Sequence, residues 1–292
     1  MELWIDKKIE IHPCTEQGLV TLEAKLGEAE NEDFFDPDEM SEALALSPFK
    51  DVKFSKEMGY AFANYEQKRL HIFKQGKVII RRANDKADAL GTLMLAIKSL
   101  LPAVICNRSE PVMACYRGES DSCLDDCQPL KKLIRSETST VRFWEILKKP
   151  AAQFDERRDA LRKVASAIRR EGPKGKSLNG LVRSEKLAAS KLMVESECPL
   201  EISTSLSFLA IYENLGEVVE FLSRSDGGRD ALQIADMAAD ALDALADGER
   251  DRLEAVQGRA DGMLSSSTRA DAKEALSGLR NIARAAMKPV LK

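Results

Sequence analysis

Histidine is scarce in this chain, with two among 292 residues. Most acid–base and nucleophilic sites use a histidine as the base, and no triad or glycine-rich elbow can be assigned here. The stretch Gly172-Pro-Lys-Gly-Lys-Ser also lacks the first glycine of a nucleotide phosphate loop, because Arg170 occupies that position. The sequence therefore predicts no catalytic residue and favours a role other than catalysis.

Long apolar runs are also missing. The longest apolar stretch, residues 90–105, is broken by Lys98 and Pro102, whereas a membrane-spanning helix needs about 20 consecutive apolar residues. The first eight residues are charged too early to form a secretory signal. We therefore expect no membrane association and a cytoplasmic location, where cysteines stay reduced unless a metal binds them.

Aromatic residues make up only 5% of the chain, which argues against a large β-sandwich, while a hydrophobic content of 44% is enough for real cores. A chain of this length predicts two or three domains. We predict an α+β protein with an N-terminal antiparallel sheet and a packed helix. The predicted segments are an α+β domain (1–105), a cysteine-rich loop (106–130), a basic helical connector (131–199) and a helical bundle (200–292).

The N-terminal segment alternates apolar and polar residues in several places. This period of two predicts a strand near residues 3–13 and further strands at 52–54, 60–65, 69–74 and 77–82. Gln75-Gly76 predicts a tight turn between the last two strands. Asn84 or Asp85 is expected to cap a helix over residues 86–100, whose apolar positions recur every three or four residues. Residues 18–26 are expected to form a short helix.

The segment Leu70-His-Ile-Phe-Lys-Gln-Gly-Lys-Val-Ile-Ile-Arg-Arg-Ala-Asn-Asp carries a resemblance to a known fold. Residues 66–100 resemble one half-repeat of the TATA-box-binding protein fold, in which a strand, a Gly-Lys turn, a second strand and a capped helix follow one another. The resemblance implies a similar fold near the N-terminus. DNA bending is not implied, because that family has two tandem copies with intercalating phenylalanines and this chain has one copy.

Four of the six cysteines lie within 22 residues: Cys106, Cys115, Cys123 and Cys127. Four thiolates can close a zinc site or hold an iron–sulfur cluster. Only the last pair has the short spacing typical of zinc knuckles, which favours an iron–sulfur cluster over zinc. Turn-forming residues predict that this segment is a loop. The alternatives are that the cysteines are small buried hydrophobic residues, or that they have a redox or disulfide role.

Charge is unevenly distributed along the chain. Residues 1–130 carry 16 Lys and Arg against 23 Asp and Glu, residues 131–191 carry 17 against 7, and residues 192–292 carry 11 against 18. A basic block between two acidic ones can attract nucleic acid, or it can pair with acidic parts of its own chain. The candidate nucleic-acid contacts are Arg157, Arg158, Arg162, Lys163, Arg169, Arg170, Lys174 and Lys176, aided by Lys74, Lys77, Arg81 and Arg82 of the hairpin.

Three functions follow from these patterns. The first is a metal-binding protein, redox or non-catalytic, that holds iron–sulfur or zinc on the four cysteines and acts with a protein partner. The second is a nucleic-acid-binding module that uses residues 131–191. The third is a metal-free scaffold whose helical bundle binds another protein. The cysteine segment favours the first.

Overall fold

The computed structural model describes residues 9–14, 18–27, 32–106, 109–119, 127–134, 140–148, 152–173 and 177–291. The chain divides into two compact units. The sheet unit comprises Met1–Met113, Asp126–Ser136 and Ser190–Glu197. The helical unit comprises Ala114–Asp125, Glu137–Ala189 and Cys198–Lys292. The predicted α+β class is confirmed, while the predicted division into four segments stays a prediction.

The sheet unit is built on six antiparallel strands in the spatial order β1-β2-β6-β5-β4-β3. The last four strands run consecutively as a meander, and β2 pairs with β6 to complete the sheet. The strands are β1 (Ile9–Pro13), β2 (Val20–Lys25), β3 (Lys50–Ser55), β4 (Tyr60–Tyr65), β5 (Lys68–Phe73) and β6 (Lys77–Ala83).

Helices cover one face of this sheet. Successive side chains on a strand point to opposite faces, and the inward set is fully buried: Leu22, Ala61, Ala63, Leu70, Ile72, Val78 and Ile80. Helix α2 (Lys86–Ser99) packs on β6 and β2 through an apolar face that includes Leu93 and Ile97. The predicted cap is Asp85, whose carboxylate accepts a hydrogen bond from the Asp88 N–H at 2.8 Å.

Residues 66–100 thus form β5, a turn, β6 and α2, which is the order of elements that the resemblance implied. The resemblance itself stays a prediction. A second helix, α1 (Pro37–Ala45), begins at Asp36, whose carboxylate accepts hydrogen bonds from the N–H groups of Asp38 and Glu39. A short 3-10 turn, Leu101–Ala103, follows α2.

The helix expected over residues 18–26 is wrong, because this segment is strand β2. Its buried residues, Leu22 and Ala24, alternate with the part-exposed Thr21 and Glu23. That period of two fits a sheet with one covered face. The pairing partners of β2 include β6, more than 50 residues along the chain, so the signal that fixes this strand is not local.

The cysteine segment is not wholly a loop, which corrects the second local prediction. Helix α3 (Val112–Arg117) lies within it and contains Cys115, and helix α4 (Gln128–Ile134) begins directly after Cys127. Proline at 111 and 129 stands at or next to the first position of each helix, where its missing N–H is no loss. The prolines that predicted turns therefore mark helix starts.

The helical unit confirms the helical half that composition predicted. Its long helices bury apolar stripes, and α8 alone has 17 buried residues among 26. A two-stranded sheet joins β7 (Thr140–Arg142) to β8 (Pro289–Leu291). The helices are α5 (Phe143–Lys148), α6 (Ala152–Glu171), α7 (Leu178–Glu195), α8 (Pro199–Arg224), α9 (Arg229–Asp247), α10 (Arg250–Ser266) and α11 (Ala270–Met287).

Helices α8 and α11 approach each other closely at Gly278. A β-carbon at this position would lie 2.7 Å from the carbonyl oxygen of Asn214, so glycine permits the backbone contact. Among the described residues, none of the helices is both long enough and apolar enough to cross a membrane.

The turn between β5 and β6 offers a test of the sheet unit. Gly76 has φ +83°, and a β-carbon there would lie 2.8 Å from the backbone nitrogen of Gly27. We expect Gly76→Ala to destabilise the sheet by more than about 1 kcal/mol, because both the backbone strain and the clash add to the cost. Hydrogen exchange of the β5 and β6 amides measures the change.

The matched control is Gly91→Ala in α2, where an added β-carbon meets no atom within 4 Å. This substitution should stabilise the helix by about 0.5–1 kcal/mol, since alanine has the better helix propensity. Equal protection of the β5 and β6 amides in the two variants would contradict the role given to Gly76.

Candidate functional site

The four predicted metal ligands do not form a described cluster. Cys106 and Cys127 are buried and fall in the sheet unit, whereas the buried Cys115 falls in the helical unit. Cys123 lies outside the described residues. Within the part of the chain that the structure describes, no group of three or more His, Cys, Asp or Glu side chains is placed to hold a metal. The metal site therefore stays a prediction.

Most of the candidate nucleic-acid contacts in the basic block pair with carboxylates of their own chain. Arg162 contacts Asp247 at 2.8 Å, and Arg169 contacts Asp243 at 2.5 Å. Other ion pairs join residues that are closer in sequence: Arg157 and Lys163 with Glu185, Arg158 with Asp155, Arg162 with Asp159, and Arg170 with Glu171. Lys174 and Lys176 lie outside the described residues. These pairs favour the alternative in which the block pairs with its own chain.

Arg157 belongs to a polar cluster inside the helical unit that the sequence did not reveal. Its guanidinium lies 3.7 Å from Glu185, and both side chains are largely buried. Tyr212 is buried nearby, and burial and the Glu185 charge raise the pKa of its hydroxyl. The Tyr212 hydroxyl and Arg157 Nη1 make no hydrogen bond to any described residue. This burial removes Arg157 from the set of cations that a nucleic acid can reach.

The face of the six-stranded sheet opposite α2 has mostly part-exposed side chains among the described residues, and we call it the uncovered face. It carries a different set of side chains. Cross-strand partners place one row of side chains across it: Lys53 on β3, Phe62 on β4, His71 on β5, Ile79 on β6 and Glu23 on β2. Partners directly opposite each other on antiparallel strands share one face. The row therefore runs continuously across the sheet, with Ile79 buried between the part-exposed His71 and Glu23, and we call it the central row.

Aromatic rings form a connected cluster on this face. The centroids of Phe62 and His71 are 5.5 Å apart with edge-to-face geometry, and Tyr60 lies 5.1 Å from Phe73. The Tyr60 hydroxyl and His71 Nδ1 share a hydrogen bond of 2.7 Å. All four rings are part-exposed. Flat ring surfaces that are packed at their edges and open to solvent can stack on another planar group.

Cations flank the rings. Arg69 and Arg81 are direct partners on β5 and β6, one row away from His71, and both are exposed. Neither they nor Lys53 forms an ion pair with a residue that the structure describes. These three cations differ in this respect from the paired side chains of the basic block. Unpaired arginine and lysine beside stacked rings can contact phosphates at low desolvation cost.

The positive charges of Arg69 and Arg81 affect the pKa of His71. Burial lowers its pKa below the ordinary 6.5, and the positive charges of Arg81 and Arg69 lower the pKa further. The imidazole is therefore neutral at neutral pH, which suits a ring that stacks and shares a hydrogen bond with Tyr60. In chemical terms, the face offers a planar apolar platform, two guanidiniums and an ammonium.

The sequence contained half of this signal. The sequence predicts strands β4, β5 and β6, and the alternation along them places residues 62 and 71 away from the core. Arg81 is also one of the predicted helper cations. The register brings Phe62, His71 and Ile79 of three strands into one row that continues to Lys53 and Glu23 on two more, so no single segment shows the row.

Comparison with known proteins adds no name to this site. The chain matches no protein-family model, no curated protein and no solved structure.

The charge environment of His71 predicts how acid affects the sheet unit. Because the folded-state pKa of His71 lies below 6.5, the unfolded chain binds the proton more readily than the folded chain. His71 should therefore lower the free energy of unfolding as the pH falls through 6.5, until both states are protonated. Urea unfolding at several pH values measures this slope, and His71→Gln should reduce it.

The pKa itself can be followed by NMR of the imidazole. Arg81→Gln should raise the pKa of His71 towards its ordinary value, because one of the two nearby positive charges is removed. Arg162→Gln, in the other unit, is the control and should leave the pKa unchanged. A wild-type His71 pKa at or above 6.5 would contradict the environment described.

The metal prediction is tested by analysing metal and acid-labile sulfide in protein purified without oxygen. We expect stoichiometric iron with sulfide, and we expect Cys123→Ala and Cys127→Ala each to lose it, because thiolates hold such clusters. Cys14→Ala and Cys198→Ala are matched controls outside the predicted set and should retain the metal. Wild-type protein without metal would overturn the prediction.

Proposed function

We propose that the chain binds single-stranded nucleic acid on the uncovered face of the six-stranded sheet. The observation that carries this proposal is the combination of part-exposed rings with cations that form no ion pair with any described residue. Bases stack on aromatic side chains irrespective of sequence, and arginine and lysine neutralise the adjoining phosphates. Part-exposed rings and cations without an ion pair are each common on protein surfaces. Their position side by side on one face of the sheet fits a single strand whose bases are not stacked on each other.

A single strand suits the platform better than a duplex. In a duplex the base faces are stacked on each other and are not available to protein rings. Here Phe62 and His71 stand at the centre of the face, with Arg69 and Arg81 one row away. This arrangement places the stacking groups on one line and the phosphate-binding groups beside them.

The net charge of the chain, −4, sets the expected strength and salt dependence. Long-range attraction is weak, so binding should depend on the local contacts. Three cations that each neutralise one phosphate of a single strand give a slope of log affinity against log salt of about −2. A slope several-fold steeper would indicate that a larger basic surface takes part.

Metal binding by the cysteines and a protein partner are separate proposals. Neither rests on contacts that the described residues make, and the metal analysis above tests the first.

The proposal is tested with a fluorescein-labelled, single-stranded oligothymidylate of ten nucleotides. Phe62→Ala should weaken binding about ten-fold or more, because stacking on one aromatic ring contributes about 1–3 kcal/mol per base. Arg69→Gln and Arg81→Gln should each weaken binding and reduce the salt slope by about 0.7. Fluorescence anisotropy over a salt series measures both quantities, and an unlabelled duplex should compete poorly.

The matched controls lie in the basic block. Arg162→Gln and Arg169→Gln remove the same charge from side chains that are already paired with Asp247 and Asp243, so affinity should not change. Weaker binding by these two variants, with Phe62→Ala unaffected, would move the interface to residues 131–191. No binding by any variant or by the wild type at low salt would overturn the proposal.

A further inference from the structure

The central row changes its chemical character at one place. From β3 to β6 it runs through a lysine, two rings and an isoleucine, and at β2 it reaches Glu23. The next strand continues with Glu10, which is the direct partner of Glu23. Both carboxylates point to the same face as Phe62 and His71, since all are connected by direct cross-strand pairing.

The carboxylates of Glu10 and Glu23 carry the same sign of charge as the phosphates of a nucleic acid. Glu10 is 75% exposed at the sheet edge, and its carboxylate lies 3.3 Å from His12 Nε2 on the same strand. Glu23 forms an ion pair with Lys77 at 2.8 Å, which holds that lysine near the carboxylate. A strand that continued past β6 would meet these carboxylates, and the two lysines beside Glu23 on this face, Lys77 and Lys25, are both already engaged. Like charges at this range are repulsive, and low salt increases the effect.

The opposite end of the face is also limited. Strand β3 is the sheet edge, and Asp51 there accepts a hydrogen bond from Asn64 Nδ2 at 2.9 Å. The cationic and aromatic surface therefore extends over β4, β5 and β6, with Lys53 at its border. Neighbouring strands lie about 4.8 Å apart, so this surface is about 10–15 Å across.

If the sheet face binds single-stranded nucleic acid as proposed above, we infer that it takes a short segment of about three nucleotides, laid across β4 to β6, and that Glu23 and Glu10 end the site. Sheets of this width in known RNA-binding modules stack about two or three bases. The carboxylates would then limit the ligand to short single-stranded segments, such as strand ends and small loops.

The experiment measures affinity against length for oligothymidylates of two to ten nucleotides. For the wild-type chain, affinity should rise up to about three or four nucleotides and then level off, apart from the small statistical gain of a longer lattice. For the double variant Glu10→Gln/Glu23→Gln, affinity should continue to rise beyond that length. The ten-nucleotide ligand should gain about ten-fold, because two repulsive charges are removed and Lys77 is released to bind a phosphate.

The control variant Glu57→Gln/Glu220→Gln removes the same total charge from two exposed positions outside the central row. Its length dependence should equal that of the wild type. Circular dichroism of each variant confirms that the glutamine substitutions leave the secondary structure intact.

The outcomes separate the two proposals. Affinity that keeps rising to ten nucleotides in the wild type, or carboxylate variants that behave like the control, would overturn the short site while leaving nucleic-acid binding in place. No oligothymidylate binding by the wild type, or binding that Phe62→Ala leaves unchanged, would overturn the proposed function itself.

Discussion

Among the described residues, α2 packs on one face of the six-stranded sheet and the opposite face is part-exposed, and the candidate site depends on this constraint. Burial of Leu22, Leu70 and Ile80 on the first face fixes the register of the strands, because a slip by one residue would turn every side chain to the other face. The same alternation then determines which side chains of the opposite face are in contact with solvent. An antiparallel sheet tolerates a wet face, and threonine, lysine and glutamate would serve there. Four contacting aromatic rings are more than the fold needs.

The number of basic residues in a segment does not show how many are available to a ligand, because some already form ion pairs with carboxylates of the same chain. The chain holds its largest excess of basic residues between 131 and 191, yet the described arginines of α6 meet carboxylates on α6, α7 and α9. Exposed pairs of this kind add only about 0–1 kcal/mol each to stability, but they cancel the field that would attract a polyanion. Arg69 and Arg81 are fewer, lie in an acidic segment, and have no such partner among the described residues.

The cysteines illustrate a related difficulty. A reduced cysteine is among the most readily buried side chains and packs as a small apolar group. Cys106, Cys115 and Cys127 are all buried, which either core packing or a shared metal can produce. Helix α3 carries Cys115, and Cys123 lies outside the described residues. The metal site therefore stays a prediction.

The sequence pattern within a segment predicted those strands and helices that depend on interactions within the same segment. The meander from β3 to β6 and the capped helix α2 follow from period, turn and cap signals within each segment, and the region after residue 199 is helical as predicted. Strand β2 differs from the predicted helix because six residues are too few to separate the two periods, and its partners on β1 and β6 decide the matter. The candidate site likewise depends on pairing between separate strands.

Phe62, His71 and Ile79 each sit in a correctly predicted strand, and each is unremarkable alone. Register aligns them into one row, and the same register then brings Glu23 to its end. The site is therefore a property of strand pairing, which explains why the strands could be predicted from the sequence and the interface could not. Because the carboxylates are set by the pairing that sets the rings, the length of ligand that the face accepts follows from the sheet's own geometry.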